Sequence, residues 1–133
     1  RAEKAQPYPK APAGLPLVQH CLQVALERVL DGDMPVETLV QRACHAPAVI
    51  FGIADRGYLR EGGYADLVLV DPTRSERIEP SQLLSKCGWS PFEGETLRST
   101  VVSTWVNGHR AWHEGVLDDS VLGQRLTIGR GRS

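Results

Sequence analysis

The stretch that decides the fold runs His45-Ala46-Pro47-Ala48-Val49-Ile50-Phe51-Gly52, then Arg56-Gly57, then Glu61-Gly62-Gly63-Tyr64-Ala65-Asp66-Leu67-Val68-Leu69-Val70-Asp71. Pro47 suits the start of a short helix, Ala48 to Phe51, because the first turn needs no amide donor there. Gly52 closes that helix. Gly57, Gly62 and Gly63 then punctuate the chain, and Ala65 to Asp71 reads as a β-rich apolar strand bounded by Pro72. Leu67 to Val70 is apolar at successive positions, so both faces of this strand need covering. That predicts packing against other parts of a larger protein.

Upstream the pattern is helical. Arg1 to Pro16 carries Pro7, Pro9, Pro12, Gly14 and Pro16 and reads as an irregular loop. From Leu17 the spacing of Leu15, Val18, Leu22, Ala25, Leu26, Val29 and Leu30 predicts a helix, with Gln19, Gln23, Glu27 and Arg28 mostly on other faces. Asp31-Gly32-Asp33 ends it, with Gly32 available for a left-handed cap. Pro35 opens a second helix whose Val36, Leu39, Val40 and Ala43 would face the core.

Downstream the pattern is β. Pro80 to Leu84 reads as one helical turn and Cys87 to Gly94 as a loop. Ser99 to Val106, Asn107-Gly108 and His109 to Glu114 form the clearest hairpin, since Asn-Gly favours a type I′ turn. Leu126 to Ile128 adds a last short strand. The chain is therefore α+β, helical first and stranded second.

With 133 residues and a net charge of −1, nothing favours nucleic acid or an anionic membrane as partner. No apolar run approaches the roughly 20 residues that cross a bilayer. No signal peptide is visible, and the missing initiator methionine fits a chain cut from something longer. Cys21, Cys44 and Cys87 are an odd number at wide spacing, which predicts reduced thiols in the cytoplasm rather than a disulfide frame.

Candidate chemistry is sparse. His20-Cys21 and Cys44-His45 pair metal-ligand types, but neighbours on a helix diverge by about 100°. Each pair offers one ligand at most, and buried cysteines beside helix-end histidines are the plainer reading. His109 and His113, four residues apart on one strand, would share a sheet face about 13 Å apart. Asp66, Asp71, Glu93, Glu95, Asp118 and Asp119 show no acid/base spacing.

The opening stretch resembles the C-terminal signature of the amidohydrolase superfamily, in which a Pro-Ala helix leads to a glycine, a Lys/Arg-Gly and a Gly-x-x-Ala-Asp strand. Ureases, hydantoinases, allantoinases, deacetylases and dihydroorotases share it. Lys10 to His20, and Ser85-Lys86-Cys87-Gly88-Trp89-Ser90-Pro91-Phe92-Glu93-Gly94 with Thr104-Trp105-Val106-Asn107-Gly108, resemble dihydroorotases more narrowly. The resemblance implies the last helices of a (β/α)8 amidohydrolase barrel, residues 1–56, followed by C-terminal strands of a small β-sandwich domain, residues 57–133. The implied reaction interconverts N-carbamoyl-L-aspartate and L-dihydroorotate in pyrimidine biosynthesis, at a one- or two-zinc centre.

The family's ligands, a His-x-His pair, two later histidines, often a carboxylated lysine and an aspartate, have no counterpart in this sequence. Zinc would be held by the rest of the parent, and this chain is expected to carry no catalytic or metal residue and to be inactive alone. One substrate-binding element is implied: the backbone of Ala11, Pro12, Ala13 and Gly14, facing the substrate's carboxylate side. The same loop could equally serve only to turn the chain off the barrel rim. Trp89, Pro91 and Phe92 are expected to pack sandwich against barrel. The expected partners are the small-molecule substrate, the rest of the parent chain and, in a homo-oligomer, further copies. Two other readings stand beside this one. One is a hydantoinase or allantoinase relative, against which Ser85 to Gly94 counts. The other is a non-catalytic, dihydroorotase-like structural partner of aspartate transcarbamoylase.

Overall fold

Helix α1 (Cys21–Leu30) opens the ordered architecture of the computed structural model, which describes residues 2, 4–7, 9–11 and 13–129. It begins later than the apolar spacing predicts. The Leu17 amide turns back to the Leu15 carbonyl (3.0 Å) and His20 to Leu17 (3.1 Å), so Leu17 to His20 form a turn ahead of the helix. Its end matches the expectation. Gly32 sits at φ 80°, and the amides of Gly32 and Asp33 return to the carbonyls of Val29 and Arg28, a Schellman cap.

Helices α2 (Val36–Val40) and α3 (Ala46–Ile50) are not separate, as the sequence reading had them. A π-helical segment, Gln41–His45, joins them into one run. Pro47 lacks an amide hydrogen, and its ring crowds the carbonyl four residues earlier. The wider π segment immediately before it accommodates both defects without ending the helix. Of Val36, Leu39, Val40 and Ala43, only Leu39 is buried.

The strands form two antiparallel sheets. β1 (Leu67–Asp71), β4 (Thr100–Val106), β5 (His109–His113) and β6 (Val116–Leu117) lie in the order β1-β4-β5-β6. β2 (Glu76–Arg77) and β3 (Thr96–Leu97) make a separate ribbon, with a 3-10 turn, Pro80–Gln82, in the connection between them. Asn107 (φ 53°) and Gly108 (φ 83°) make the predicted tight turn. A second such turn, Glu114-Gly115, leads into β6. Leu126 to Ile128 adds no strand to the sheet; Ile128 instead bridges Ile53.

Both apolar sides of β1 lie open, with Leu67, Val68 and Leu69 at 37%, 48% and 52% exposure. Val49, Ile50 and Phe51 at the end of α3 are exposed as well. Among the described residues the buried apolar set is small: Leu39, Ala48, Ile78 and Leu97. Polar residues hold α1 to the stranded part. Gln19, Gln23, Glu27 and Asp31 recur every fourth residue and so share one face. Gln19 bonds the backbone of Gln82 and Leu84 (both 2.9 Å), and the Gln23 amide donates to Glu76 (3.1 Å) and to the Ser99 carbonyl (3.0 Å). Arg98 grips Glu27 and Asp31, each at 2.6 Å. The polar residues set apart from the apolar spacing thus form the docking face, and Gln23 is the buried residue of α1.

Candidate functional site

The loop expected to meet substrate is largely open. Ala11 is half-buried, Ala13 and Gly14 are exposed, and Pro12 lies outside the described residues. Gly14 adopts φ 89°, where an added methyl would meet no atom within 4 Å. Its backbone conformation, rather than crowding, therefore requires glycine. The Lys4 ammonium donates to the Gly14 carbonyl and ties the two ends of the loop together; nothing in the local sequence pattern signals that contact. Gly14→Ala should leave the fold intact, since the strain is about 1 kcal/mol in a solvent-facing loop. If the loop's backbone meets substrate, the same change should raise KM severalfold with kcat nearly unchanged, as steady-state kinetics of the full-length protein would show.

The histidines do not converge. His45 is stacked on Tyr58, ring centroids 4.1 Å apart, and its Nδ1 bonds the Gly57 carbonyl. His20 is buried against the edge of Phe92, which links α1 to the loop between the ribbon strands. The ladder that carries His109 and His113 is interrupted between them. The register of β4 and β5 shifts between Thr104 and Trp105 and leaves Ala111 as an extra residue. His113 therefore pairs with Ser103 and His109 with Val106, three residues apart on β4, and both histidines line one open depression. His113 Nδ1 bonds the Ser103 hydroxyl (2.7 Å), and His109 approaches Asp118 (3.4 Å) beside this depression of about 470 Å³. Two hydrogen bonds from Ser120, with a smaller effect of His109, hold the Asp118 carboxyl below its usual range. All three cysteines are free and exposed, which corrects the expectation of buried thiols beside helix-end histidines. Among the described residues no three His, Cys, Asp or Glu side chains are placed to hold a metal.

The signature residues are brought together, but as a joint. The Arg56 guanidinium, 11% exposed, bonds the Asp66 carboxylate and the Asn107 side chain, and lies 4.0 Å over the Tyr64 ring. Asp66 in turn accepts the Asn107 amide (2.8 Å), and the Gly108 amide bonds the Ala65 carbonyl (3.0 Å). The Arg of Arg-Gly and the Asp of Ala-Asp thus clamp the hairpin turn to the foot of β1. Gly57, at φ 82°, packs so closely on the helical run that an added Cβ would sit 2.6 Å from Ala48 Cβ and 2.7 Å from the Cys44 carbonyl oxygen. Arg56, Gly57 and Asp66 read as motif letters in the sequence; the bond from Arg56 to Asn107, 51 positions away, and the packing of Gly57 on the helical run were not legible there.

A family model described as the amidohydrolase family matches residues 15–111, a span that includes this joint and the α1 docking face. The chain belongs to the amidohydrolase family. It is 37% identical over 112 residues to a dihydroorotase of Halobacterium salinarum, covering 84% of this chain and 26% of that protein. A dihydroorotase of Methanothermobacter thermautotrophicus is 32% identical over 113 residues, covering 85% and 26%. Among solved amidohydrolase structures, the L-hydantoinase (dihydropyrimidinase) from Arthrobacter aurescens aligns with a TM-score of 0.67 at 32% identity, covering 74% of this chain and 22% of that one. The chain spans about a quarter of the length of the curated relatives it matches. No helix among the described residues is long and apolar enough to cross a membrane.

Proposed function

We propose that this chain is the C-terminal quarter of a dihydroorotase, which closes N-carbamoyl-L-aspartate to L-dihydroorotate with loss of water and reopens the ring. The observation that carries the reading is the identity to dihydroorotases along most of the chain, 37% and 32% in the two named relatives. In this reading residues 1–56 finish the barrel and residues 57–133 finish the small sandwich. The exposed faces of β1 and α3 are then covered by the rest of the parent chain. Zinc, held wholly outside these residues, would supply a bound hydroxide and a polarised carbonyl. The part left to this chain is to present the Ala11 to Gly14 backbone to the substrate's carboxylate side and to brace the barrel end through the α1 face. Such an enzyme would work in the cytoplasm, with soluble small-molecule substrates.

A hydantoinase-like activity is the second reading, favoured by the 32% identity to the Arthrobacter L-hydantoinase. Turnover of L-dihydroorotate, hydantoin and dihydrouracil by the zinc-loaded full-length protein separates the two. The expected result is ring opening of dihydroorotate with kcat/KM at least about a hundredfold above that for hydantoin. A site built to pair a carboxylate loses that much when it is absent. Preference for hydantoin would install the second reading. No turnover by folded, zinc-loaded protein would leave a non-catalytic partner of aspartate transcarbamoylase.

A further inference from the structure

The most deeply buried titratable side chain of the described residues lies away from the loop and joint described above. His20 is 6% exposed at the head of α1, and its Nδ1 is buried without a hydrogen-bond partner. The hydroxyl of Ser99, fully buried at the other side of the α1 docking face, has no partner either. One turn along from His20, Gln23 spends its amide hydrogens on Glu76 and on the Ser99 carbonyl. Phe92 covers the imidazole edge-on, with centroids 6.4 Å apart. We propose that His20 is a pH-sensitive latch between α1 and the β2–β3 ribbon, shut while the imidazole is neutral and released when it takes up a proton.

Protonation would place a charged N–H where no acceptor stands and water is excluded. The charged groups on the surrounding elements are already engaged. Glu27 and Asp31 of α1 hold Arg98, Arg77 pairs with Glu79, and Glu93 accepts the Ser90 amide in the loop that carries Phe92. Glu76 on β2 is the one whose charge reaches His20, and it is held by Gln23. A protonated His20 therefore draws Glu76 away from Gln23 and undoes the bond that closes the face. Burial outweighs Glu76 and sets the imidazole below its ordinary 6.5. The sign follows: the latch is fully shut above the unfolded value of 6.5. It weakens as pH falls from there toward the lower folded value, because the open state takes up the proton first.

Hydrogen exchange of the full-length protein, read by peptide at about pH 7.5 and about pH 5.5 and corrected for the intrinsic rate, tests this. Peptides spanning 20–34 and 76–99 should exchange about fivefold faster at the lower pH, with hairpin β4–β5 alike at both. In His20→Gln, which carries no titrating ring, that difference should vanish. In Glu76→Gln, which removes the charge favouring the imidazolium, the loosening should still begin near 6.5, where the open state takes up its proton, but grow larger and continue to a lower pH. Equal protection at both pH values in the unaltered protein would overturn the latch. So would loosening that includes the hairpin, or a pH dependence kept intact in His20→Gln. Should His20→Gln not fold, a loosening in Glu76→Gln of unchanged depth and unchanged end point would overturn it as well.

Discussion

Gly57→Ala is expected to destabilise the folded protein by about 3 kcal/mol, from two independent sources. A side chain at φ 82° costs about 1–2 kcal/mol in backbone strain. The added methyl would then stand 2.6 Å from Ala48 Cβ and 2.7 Å from the Cys44 carbonyl oxygen, neither of them a flexible tip that can swing away. Overpacking of this kind adds about 1–3 kcal/mol. Gly62 provides the internal comparison. It has nearly the same φ, 80°, but nothing within 4 Å of an added Cβ. Gly62→Ala should therefore show the backbone part alone, about 1–2 kcal/mol. Thermal unfolding of the two variants in the full-length protein measures the difference. Equal losses would mean that the contact between Gly57 and the helical run is not tight.

Arg56→Met has the second large expected effect, about 2–4 kcal/mol. Methionine keeps most of the aliphatic volume but strips Asp66 and Asn107 of their shared donor and leaves Tyr64 without its cation. The loss sits toward the lower end of that range if Asp66, 35% exposed, recovers water. Arg56→Lys should restore only part of it. An ammonium cannot reach two acceptors in a planar fork while lying flat on a ring. Full rescue by lysine would show that charge alone matters at this position.

Much of the fold was legible because local chemistry dictated it. Asn107-Gly108 between two β-rich runs, Gly32 past the end of α1 and the apolar run Leu67 to Val70 each act through their own backbone or pattern. What sequence reading missed depends on partners far along the chain. The sequence pattern set Gln19, Gln23 and Glu27 apart from the apolar face without naming partners, and those partners, Gln82, Ser99 and Arg98, lie more than 60 residues away. The spacing of Gln19, Gln23, Glu27 and Asp31 was the available signal, since a one-face stripe of amides and carboxylates can dock on backbone. The regular spacing expected between His109 and His113 failed for a different reason. Strict alternation assumes an unbroken ladder, and the extra residue Ala111 shifts it by one. For the candidate site, the resemblance supplied the loop Ala11 to Gly14. Its brace, Lys4, and the roles of Arg56 and Asp66 as a clamp came only with the fold.

The central claim is that the signature Arg56-Gly57 and Ala65-Asp66 build a joint and take no part in chemistry. Steady-state turnover of L-dihydroorotate by full-length, zinc-loaded Arg56→Met, assayed well below its melting temperature, tests it most directly. The account predicts a melting temperature lowered by several degrees, with kcat/KM within about threefold of the unaltered protein. A loss of about a hundredfold in kcat at an unchanged melting temperature would contradict it and make Arg56 part of the reaction.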